Sequence, residues 1–417
     1  MNTNFNIGFI ATRLQGLDGV SLETAKWTEV LQELGYQCFF FAGVIDRPSD
    51  VSFHVPEAFF NTEENQKLNE SIYGTFIRSS EITDMLHFRK KFLKEKLYEF
   101  IHRFNIQLII AENVLAIPLQ IPLAMALTEV IAETGIFTIG HHHDMYWERP
   151  RFLVNAIQDI LQASFPPDLP SVKHVVINSM IQKDLAARRG LSSTIIYNVV
   201  NFDIPPTPPD EFSGHVREDL GFSKDDILIL QPTRVISRKG IEQTLQLMRQ
   251  IDIPRTHLLI THSSGDEGND YYNWLMETAE EEKINIHFLS NHLYDHRQYD
   301  ENGNRLYTLW DIYPHSDLIT YPSLYEGFGN AFLEAIYFKK PILVNRYVVY
   351  IVDIEPKGFK VVSIDGYLTH KAVNEIQFLL TNKNAYTEMV EHNFNTGKRY
   401  FSYTHLRKRL NSILSNV

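Results

Sequence analysis

The chain has a single cysteine among its 417 residues, Cys38, which excludes an internal disulfide framework and favours a reducing compartment. It also lacks a long uninterrupted apolar run. The most apolar region, residues 114–127, is broken by Pro118, Gln120 and Pro122, so no membrane span is expected. The N-terminus has neither the basic start nor the apolar region of a signal peptide. These features predict a soluble cytoplasmic protein.

Basic residues are also few, with 39 Lys and Arg against 51 Asp and Glu, which gives a formal net charge of -12. Proteins that bind nucleic acid neutralise its phosphates with surplus Lys and Arg, so nucleic acid is not the expected partner. Hydrophobic residues make up 44% of the chain and aromatic residues 12%, which is sufficient for packed cores. The length predicts two or three domains.

Apolar runs that are typical of buried strands alternate with amphipathic helical segments, which indicates parallel sheets with crossover helices. In the first half, strands are predicted at 6–11, 36–42, 107–111, 136–140, 174–178 and 194–199, and helices at 21–34, 82–104, 119–133 and 180–188. Residues 203–210 contain four prolines and read as a linker. In the second half, strands are predicted at 227–230, 258–261, 286–290, 317–321 and 341–345, helices at 241–251, 307–313 and 393–414, and an irregular insertion at 291–303.

The segment 321–340 combines two glutamates with two glycines at the start of a predicted helix. Glu326 precedes Gly327 and Gly329, the helix begins near Asn330, and Glu334 lies about one turn in. Glycines let backbone N–H groups approach a ligand at a helix N-terminus, where an anion such as phosphate is stabilised. The segment therefore predicts a phosphate-binding edge, although a capped helix beside a solvated glutamate would also fit.

Three further loops follow predicted strands and carry polar or charged residues. Arg234, Arg238 and Lys239 follow the strand at 227–230, a position suited to an anionic ligand, and His262 follows the next strand. Gly16 to Gly19 forms a glycine-containing turn after the first strand. It does not match the G-x-G-x-x-G pattern, so it is a weak dinucleotide signal.

Three consecutive histidines, His141 to His143, and Asp144 follow the strand at 136–140. Neighbours at a strand end point in different directions and metal sites use wider spacings, so we expect hydrogen-bonding or acid–base groups here. A metal-dependent hydrolase built on residues 141–144 remains an alternative. The helix at 82–104 carries basic residues from Arg89 to Lys96, which predicts either a solvated face or contact with an anionic membrane.

The order of these features resembles the retaining glycosyltransferases of family 4, which have the GT-B fold. The resemblance rests on the G-x-x-G loop, T-R-x-x-x-R-K-G at residues 233–240, E-G-F-G-x-x-x-L-E at residues 326–334, and the Pro-rich linkage. It implies an α/β architecture of two Rossmann-like doubly wound domains facing a central cleft. The acceptor domain would be 1–203, the donor domain 204–392, and 393–417 would form a helix that packs back on the first domain.

The resemblance also implies roles for individual residues. Arg234 and Lys239 would bind the donor diphosphate, Glu334 the ribose, and Glu326 with the backbone of Gly327, Phe328, Gly329 and Asn330 the transferred sugar and phosphate. The family has an apolar residue where this chain has Asn330. His143 would contact the sugar near the reacting carbon, and Gly19 would let the first loop approach the diphosphate and acceptor. Together with Asp144 and His262 from the residue patterns, these form the predicted site, and Trp147, Glu148 and Arg149 are expected on the acceptor side.

The function implied is transfer of a hexose from a UDP- or GDP-sugar to a hydroxyl acceptor, with retention of configuration. No metal or cofactor is implied, because Arg and Lys supply the charge that a divalent cation would otherwise supply. A nucleotide-sugar epimerase of the same architecture is a second alternative. The acceptor could be small and soluble or lipid-linked, with peripheral membrane contact through the basic helix. Its identity, the donor base and the oligomeric state are not indicated.

Overall fold

The computed structural model describes residues 5–16, 18–262 and 270–415, and the chain forms two compact units. The first unit consists of Met1–Asn198 and Leu406–Val417, and the second of Val199–His405. Leu17 in the first glycine turn and residues 263–269 after His262 lie outside the described residues. The chain therefore passes between the units twice.

A seven-stranded parallel sheet forms the centre of the first unit, in the order β3-β2-β1-β4-β5-β6-β7. All five residues of β4 are buried, as expected for a parallel strand covered on both faces. The strands are β1 Asn6–Ile10, β2 Gln37–Ala42, β3 Ser52–His54, β4 Leu108–Glu112, β5 Phe137–His142, β6 Val172–Val176 and β7 Ser193–Ile195.

Helices α1 to α6 accompany this sheet, and several of their N-termini are marked by capping residues of the expected kind. The side chains of Asp18, Ser79 and Asn178 accept hydrogen bonds from backbone N–H groups in the first turns of α1, α3 and α6. The helices are α1 Gly19–Glu33, α2 Glu63–Glu70, α3 Ser80–Arg103, α4 Ile121–Thr134, α5 Gln158–Ser164 and α6 Ser179–Arg189.

The basic residues of α3 are partly neutralised within the unit. Lys94 Nζ lies 3.0 Å from Glu129 and 2.5 Å from Glu133 on α4, and Lys90 also pairs with Glu129. Ion pairing between the two helices therefore accounts for the charges of Lys90 and Lys94. Among the described residues, no helix has the length and apolar character needed to cross a bilayer.

A six-stranded parallel sheet forms the centre of the second unit, in the order β10-β9-β8-β13-β14-β15. Its strands are β8 Ile227–Gln231, β9 Thr256–Ile260, β10 Ile286–Phe288, β13 Leu318–Tyr321, β14 Ile342–Asn345 and β15 Val362–Ile364. Its helices are α7 Val216–Asp219, α8 Ile241–Gln250, α9 Asp270–Glu281, α10 Leu309–Ile312, α11 Asn330–Tyr337, α12 His370–Thr381 and α13 Lys383–Tyr400. The last helix, α14 Tyr403–Leu414, belongs to the first unit from Leu406 onward.

Two expectations for this part of the chain are wrong. The polar segment 291–303 is not wholly irregular, because β11 Gln298–Tyr299 pairs with β12 Arg305–Leu306 in an antiparallel hairpin. The predicted helix at 393–414 is two helices, α13 and α14, since Phe401 and Ser402 interrupt it with buried side chains. From Leu406 onward, α14 belongs to the first unit, where Arg407 pairs with Glu33 on α1.

In each sheet the strand order reverses at one point, between β1 and β4 in the first unit and between β8 and β13 in the second. Open α/β sheets bind ligands at the carboxyl ends of the strands next to such a reversal. The loops that leave β8 and β13 carry Lys239 and Glu326, and β4 ends at Glu112. The topology thus brings the polar residues of each unit to its expected binding edge.

Candidate active site

Lys239 and Glu326 meet at the strand reversal of the second unit. Lys239 Nζ donates to Glu326 Oε1, and Arg238 Nη1 lies 3.7 Å from Glu326 Oε2. Lys239 is only 9% exposed, and burial lowers the pKa of its ammonium group although Glu326 opposes that effect. The two predicted motifs therefore form one charged site.

A buried glutamine holds the lysine loop in place. Gln231, the last residue of β8, donates to the carbonyl of Lys239 at 3.2 Å and accepts from Thr244 and Thr320 at 2.5 and 3.2 Å. Gln231 is fully buried, so these bonds form in a medium where an unmade one is costly. This side chain ties the loop to α8 and β13.

Two glycines in these loops are required by backbone geometry. Gly240 has a φ of 63°, and a Cβ there would lie 2.4 Å from the carbonyl oxygen of Pro322. Gly329 has a φ of 126°, and a Cβ there would lie 2.4 Å from the Tyr347 hydroxyl, which itself donates to the Phe328 carbonyl at 2.6 Å. A side chain at Gly240 would push its loop away from Pro322, and a side chain at Gly329 would displace the hydroxyl of Tyr347.

The segment 327–330 leads from the Glu326 loop into the N-terminus of α11. Phe328 is buried and packs against Phe401 with ring centroids 5.5 Å apart. Gly329 is the N-cap residue of α11 and has no side chain to cap the helix, which begins at Asn330. Backbone N–H groups at such a helix start suit a phosphate oxygen.

Glu334 lies on α11 about one turn from its start, as predicted. Its Oε2 accepts a hydrogen bond of 2.8 Å from the hydroxyl of Tyr313, which is fully buried. Burial and the charge of Glu334 raise the pKa of Tyr313 well above its ordinary value, so the phenol remains a donor at neutral pH. Tyr313 thus orients the carboxylate, a role that the sequence did not indicate.

Arg234 and His262 complete the positive edge of the second unit. Arg234 is exposed and has no ion-pair partner in residues 5–16, 18–262 and 270–415. Burial lowers the pKa of His262, and the charges of Arg234 and Lys239 lower it further, which favours the neutral ring. Its Nδ1 lies 2.6 Å from the Thr261 hydroxyl. An exposed guanidinium beside a buried lysine suits a diphosphate.

In the first unit, a single carboxylate oxygen contacts two histidines. Glu112 Oε2 lies 2.9 Å from His141 Nδ1 and 3.1 Å from His143 Nε2. Burial alone would raise the pKa of Glu112, but the two histidines outweigh it and hold the pKa at about 2. Residue 112 was expected to follow the strand. The signal that could have identified it is an acidic residue at the end of a run that is otherwise entirely apolar.

Asn113 connects this cluster to Asp144. Its side chain accepts from the His143 backbone N–H at 3.0 Å and donates to Asp144 Oδ1 at 2.8 Å. Asn113 has a φ of 60°, a left-handed conformation that asparagine tolerates better than most residues and that is common at functional sites. Asp144 is therefore held in place by its neighbours and also accepts from Arg149 Nε at 2.7 Å.

The side chains of the three consecutive histidines point in different directions. His141 and His142 belong to β5 and extend it beyond the predicted strand end. His141 stacks on Trp27 at 4.2 Å, whereas His142 Nε2 lies 3.0 Å from His174 Nδ1 on β6. Burial lowers the pKa of His142 well below its ordinary value. His142 therefore belongs to the core, and only His143 extends from the strand end.

The residues expected on the acceptor side lie in the loop after β5. Glu148 Oε2 accepts from the Met145 backbone N–H at 2.6 Å, so Glu148 caps its own short turn. Trp147 lies under the guanidinium of Arg188 at 5.5 Å.

Gly19 begins α1, but the Asp18 side chain already accepts from the next two backbone N–H groups at 3.1 and 3.2 Å. These N–H groups are therefore not open to a phosphate.

Glu112, His141 and His143 are also the group within the described residues that could supply ligands to a metal. Their three candidate atoms lie within 4.8 Å of one another; Glu112 and His141 are buried, and the side chain of His143 is 10% exposed. The hydrogen bonds between the carboxylate and the two rings account for the same atoms without an ion. The arrangement therefore fits an oriented histidine as well as a metal centre.

Comparison with known proteins matches one family model to the second half of the chain and two named relatives to most of its length. The family model described as Glycosyl transferases group 1 matches residues 214–396. Two proteins named mannosylglucosylglycerate synthase are similar: that of Thermotoga maritima is 33% identical and covers 96% of each chain, and that of Petrotoga mobilis is 31% identical and covers 86% of each. A crystal structure of a glycosyltransferase from Rickettsia africae superposes with a TM-score of 0.70 at 15% identity, over 100% of both chains.

These matches confirm the predicted GT-B architecture, and they support sugar transfer from a nucleotide sugar. They give no support to the hydrolase based on residues 141–144 or to an epimerase. Lipid-linked acceptors and membrane contact through the basic helix remain without support.

Proposed function

The chain belongs to the group 1 glycosyltransferases, GT-B enzymes of family 4, and is a hexosyltransferase; we propose that it transfers mannose from a nucleotide sugar to glucosylglycerate. The name shared by the two full-length relatives describes a product built of mannose, glucose and glycerate. We further propose that configuration is retained, that no divalent metal is required, and that the reaction takes place in the cytoplasm. The donor is a GDP- or UDP-sugar.

The observation that carries the proposal is the cation site of the second unit. Lys239 and Arg238 converge on Glu326, and Arg234 is exposed beside them without an ion-pair partner among the described residues. A sugar nucleotide carries a diphosphate, which such a site would hold while Glu334 receives the ribose hydroxyls. Charge that develops on the leaving phosphate would meet cations that are already in place, so little reorganisation is needed.

The proposed reaction proceeds on one face of the sugar. The bond between the anomeric carbon and the leaving phosphate oxygen breaks, and the acceptor hydroxyl oxygen forms the new bond on the same face. The acceptor proton passes to the departing phosphate. Neither Glu326 nor Glu112 acts as a nucleophile in this scheme, because Glu326 is engaged by Lys239 and Glu112 by two histidines.

An acceptor that ends in glycerate carries a carboxylate, and the first unit offers a cation for it. Arg149 is committed to Asp144 through two nitrogens. Arg151, two residues on, is exposed, stacks on Phe152 at 4.6 Å and has no acidic partner among the residues described. Arginine binds carboxylates in a two-pronged geometry. We therefore assign the glycerate end of the acceptor to Arg151.

Incubation of the purified chain with GDP-mannose, UDP-mannose and the matching glucose donors, each with glucosylglycerate, tests the proposal. Mass spectrometry should detect a mannosylated product, and NMR of the new linkage should give the donor's anomeric configuration. Activity should survive dialysis against a chelator. Transfer to other acceptors with none to glucosylglycerate would refute the proposed substrate but leave the hexosyltransferase.

The role of Arg151 has a matched control. Arg151→Met should lower kcat/KM for glucosylglycerate about 10- to 100-fold, the usual effect of losing a hydrogen bond to a charged group. The same change should hardly affect glucosylglycerol, which lacks the carboxylate. Arg103→Met is the control, since Arg103 is also exposed, stacks on Phe104 at 5.0 Å and has no acidic partner among the described residues. Equal losses with both acceptors would exclude carboxylate recognition by Arg151.

A further inference from the structure

Glu112 occupies a position where an isolated carboxylate would be unfavourable. It ends β4 beside the strand reversal of the first unit and is only 2% exposed. Burying a charge costs several kcal/mol unless hydrogen bonds and opposite charge compensate. Its Oε2 makes two such contacts, to His141 and His143, whereas its Oε1 has no hydrogen-bond partner among the described residues. The contacts of this buried acid are thus concentrated on two imidazole rings.

The two rings differ in what surrounds them. The side chain of His141 is 1% exposed and stacked on Trp27, and burial lowers the pKa of its ring. The side chain of His143 is 10% exposed, and the contacts with Glu112 raise its pKa against the effect of burial. Only His143 therefore combines access with a bias toward the protonated form.

The groups that act on His143 come from every element packed around it. Their charges favour the protonated ring in three cases, those of Glu112 on β4, Glu23 on α1 and Asp144 in the same loop. A charged His141 on β5 would disfavour the protonated form of His143, but burial lowers the pKa of His141 itself. The backbone N–H of His143 is held separately, at 3.0 Å from the Asn113 side chain. Backbone and ring are therefore both fixed.

We propose that Glu112 is a positioning residue that holds His143 by its Nε2, so that Nδ1 is the ring atom presented to the substrates, with His141 fixing the carboxylate from its other side. This rests on the proposed function and on the role that the family resemblance implies for His143, namely contact with the transferred sugar. Glu112 touches no substrate itself. It would keep the ring from rotating and would leave Nδ1 to hydrogen-bond a sugar hydroxyl, much as a histidine's second nitrogen is oriented by an acidic neighbour in other sites.

Glu112→Gln tests the proposal, because glutamine keeps the shape but removes the charge and offers a weaker acceptor. We expect kcat to fall about 10- to 100-fold, with the KM for the nucleotide sugar within about twofold of the native value. Glu133→Gln is the matched control, since Glu133 pairs with Lys94 on the helical face of the same unit. It should leave kcat unchanged. A native kcat in Glu112→Gln would overturn the proposal.

A second measurement needs neither substrate nor a folded Glu112 variant. In the native chain labelled with ¹⁵N-histidine, long-range ¹H–¹⁵N spectra distinguish the protonated nitrogen of each ring, and the signals missing in His143→Gln assign residue 143. The proposal requires a proton on Nε2 of His143. A proton found only on Nδ1, or a stoichiometric metal retained by the purified chain, would overturn it. Because this readout is independent of turnover, its failure is distinct from failure of the proposed mannosyl transfer.

Discussion

Replacing Lys239 by methionine should destabilise the second unit by about 2 kcal/mol. Removing one partner of a buried ion pair costs roughly 3–5 kcal/mol, because the remaining charge is left in a poorly solvated position. Two features of the site reduce this figure. Arg238 stays 3.7 Å from Glu326, and the side chain of Glu326 is 11% exposed. Methionine is uncharged, so the variant also avoids the cost of burying an ammonium group, the same burial that lowers the pKa of Lys239.

Urea unfolding combined with hydrogen exchange of the β8 and β13 amides measures this effect, because exchange reports on the second unit alone. Lys360→Met is the control in the same unit. Lys360 pairs with Glu388 at 2.8 Å, but the two side chains are 49% and 75% exposed, and such pairs contribute about 1 kcal/mol or less.

A double variant sharpens the test. Adding Glu326→Gln to Lys239→Met should cost less than the sum of the single changes, because the unpaired charge is then gone. Additive effects, or a Lys239→Met change no larger than that of Lys360→Met, would refute the account of a coupled buried pair. Turnover of Lys239→Met should fall about 10²- to 10³-fold, the scale for losing one group that stabilises developing charge.

Three further predictions concern donor binding, backbone and pH. Glu334→Ala should weaken donor binding by about 1–3 kcal/mol in calorimetry, and Tyr313→Phe by less, since Tyr313 acts only through its 2.8 Å bond to Glu334; an unchanged donor affinity in Glu334→Ala would exclude the ribose role. Gly329→Ala should lower the thermal midpoint and abolish most activity, because its φ of 126° and the 2.4 Å approach to Tyr347 both disfavour a side chain. The pKa of Glu112 lies at about 2, below its ordinary 4.5, so its stabilising effect is complete above pH 4.5 and is lost as the pH falls toward 2. The stability gap between the native chain and Glu112→Gln should therefore narrow as the pH falls from 4.5 toward 2, and a gap that stays constant over this range would contradict this.

Much of the sheet architecture follows from local sequence pattern. The strands that line the two reversals, β1, β4, β8 and β13, were predicted within a few residues, since buried parallel strands form short apolar runs bounded by glycines and polar residues. Shorter elements such as β3 and β15, with three residues each, carry too little pattern to be recognised. The break at Phe401 was hidden because apolar residues continue in helical phase on both sides of it.

Pairings across the chain were beyond local reasoning. Lys239 and Glu326 are 87 positions apart, and each motif alone is compatible with a solvated loop. Glu112 and His141 are 29 positions apart and meet only because β4 and β5 are neighbours, with Glu112 opposite His141 in the register. The histidine run was expected to leave the strand at Gly140. Pairing of His142 with Val176 instead extends β5 through His142. Because side chains alternate along a strand, His141 and His142 then lie on opposite faces of the sheet.

The last helix has a consequence for how the protein is made. Arg407 on α14 pairs with Glu33, a partner 374 positions earlier, and Leu410 is fully buried. Roughly 200 residues separate the main part of the first unit from this segment. At a synthesis rate of about 5–20 residues per second, the nascent first unit waits roughly 10–40 s with an apolar surface uncovered. Its folding can be completed only after the second unit has been synthesised, so the second unit emerges from the ribosome while the first is still unfinished.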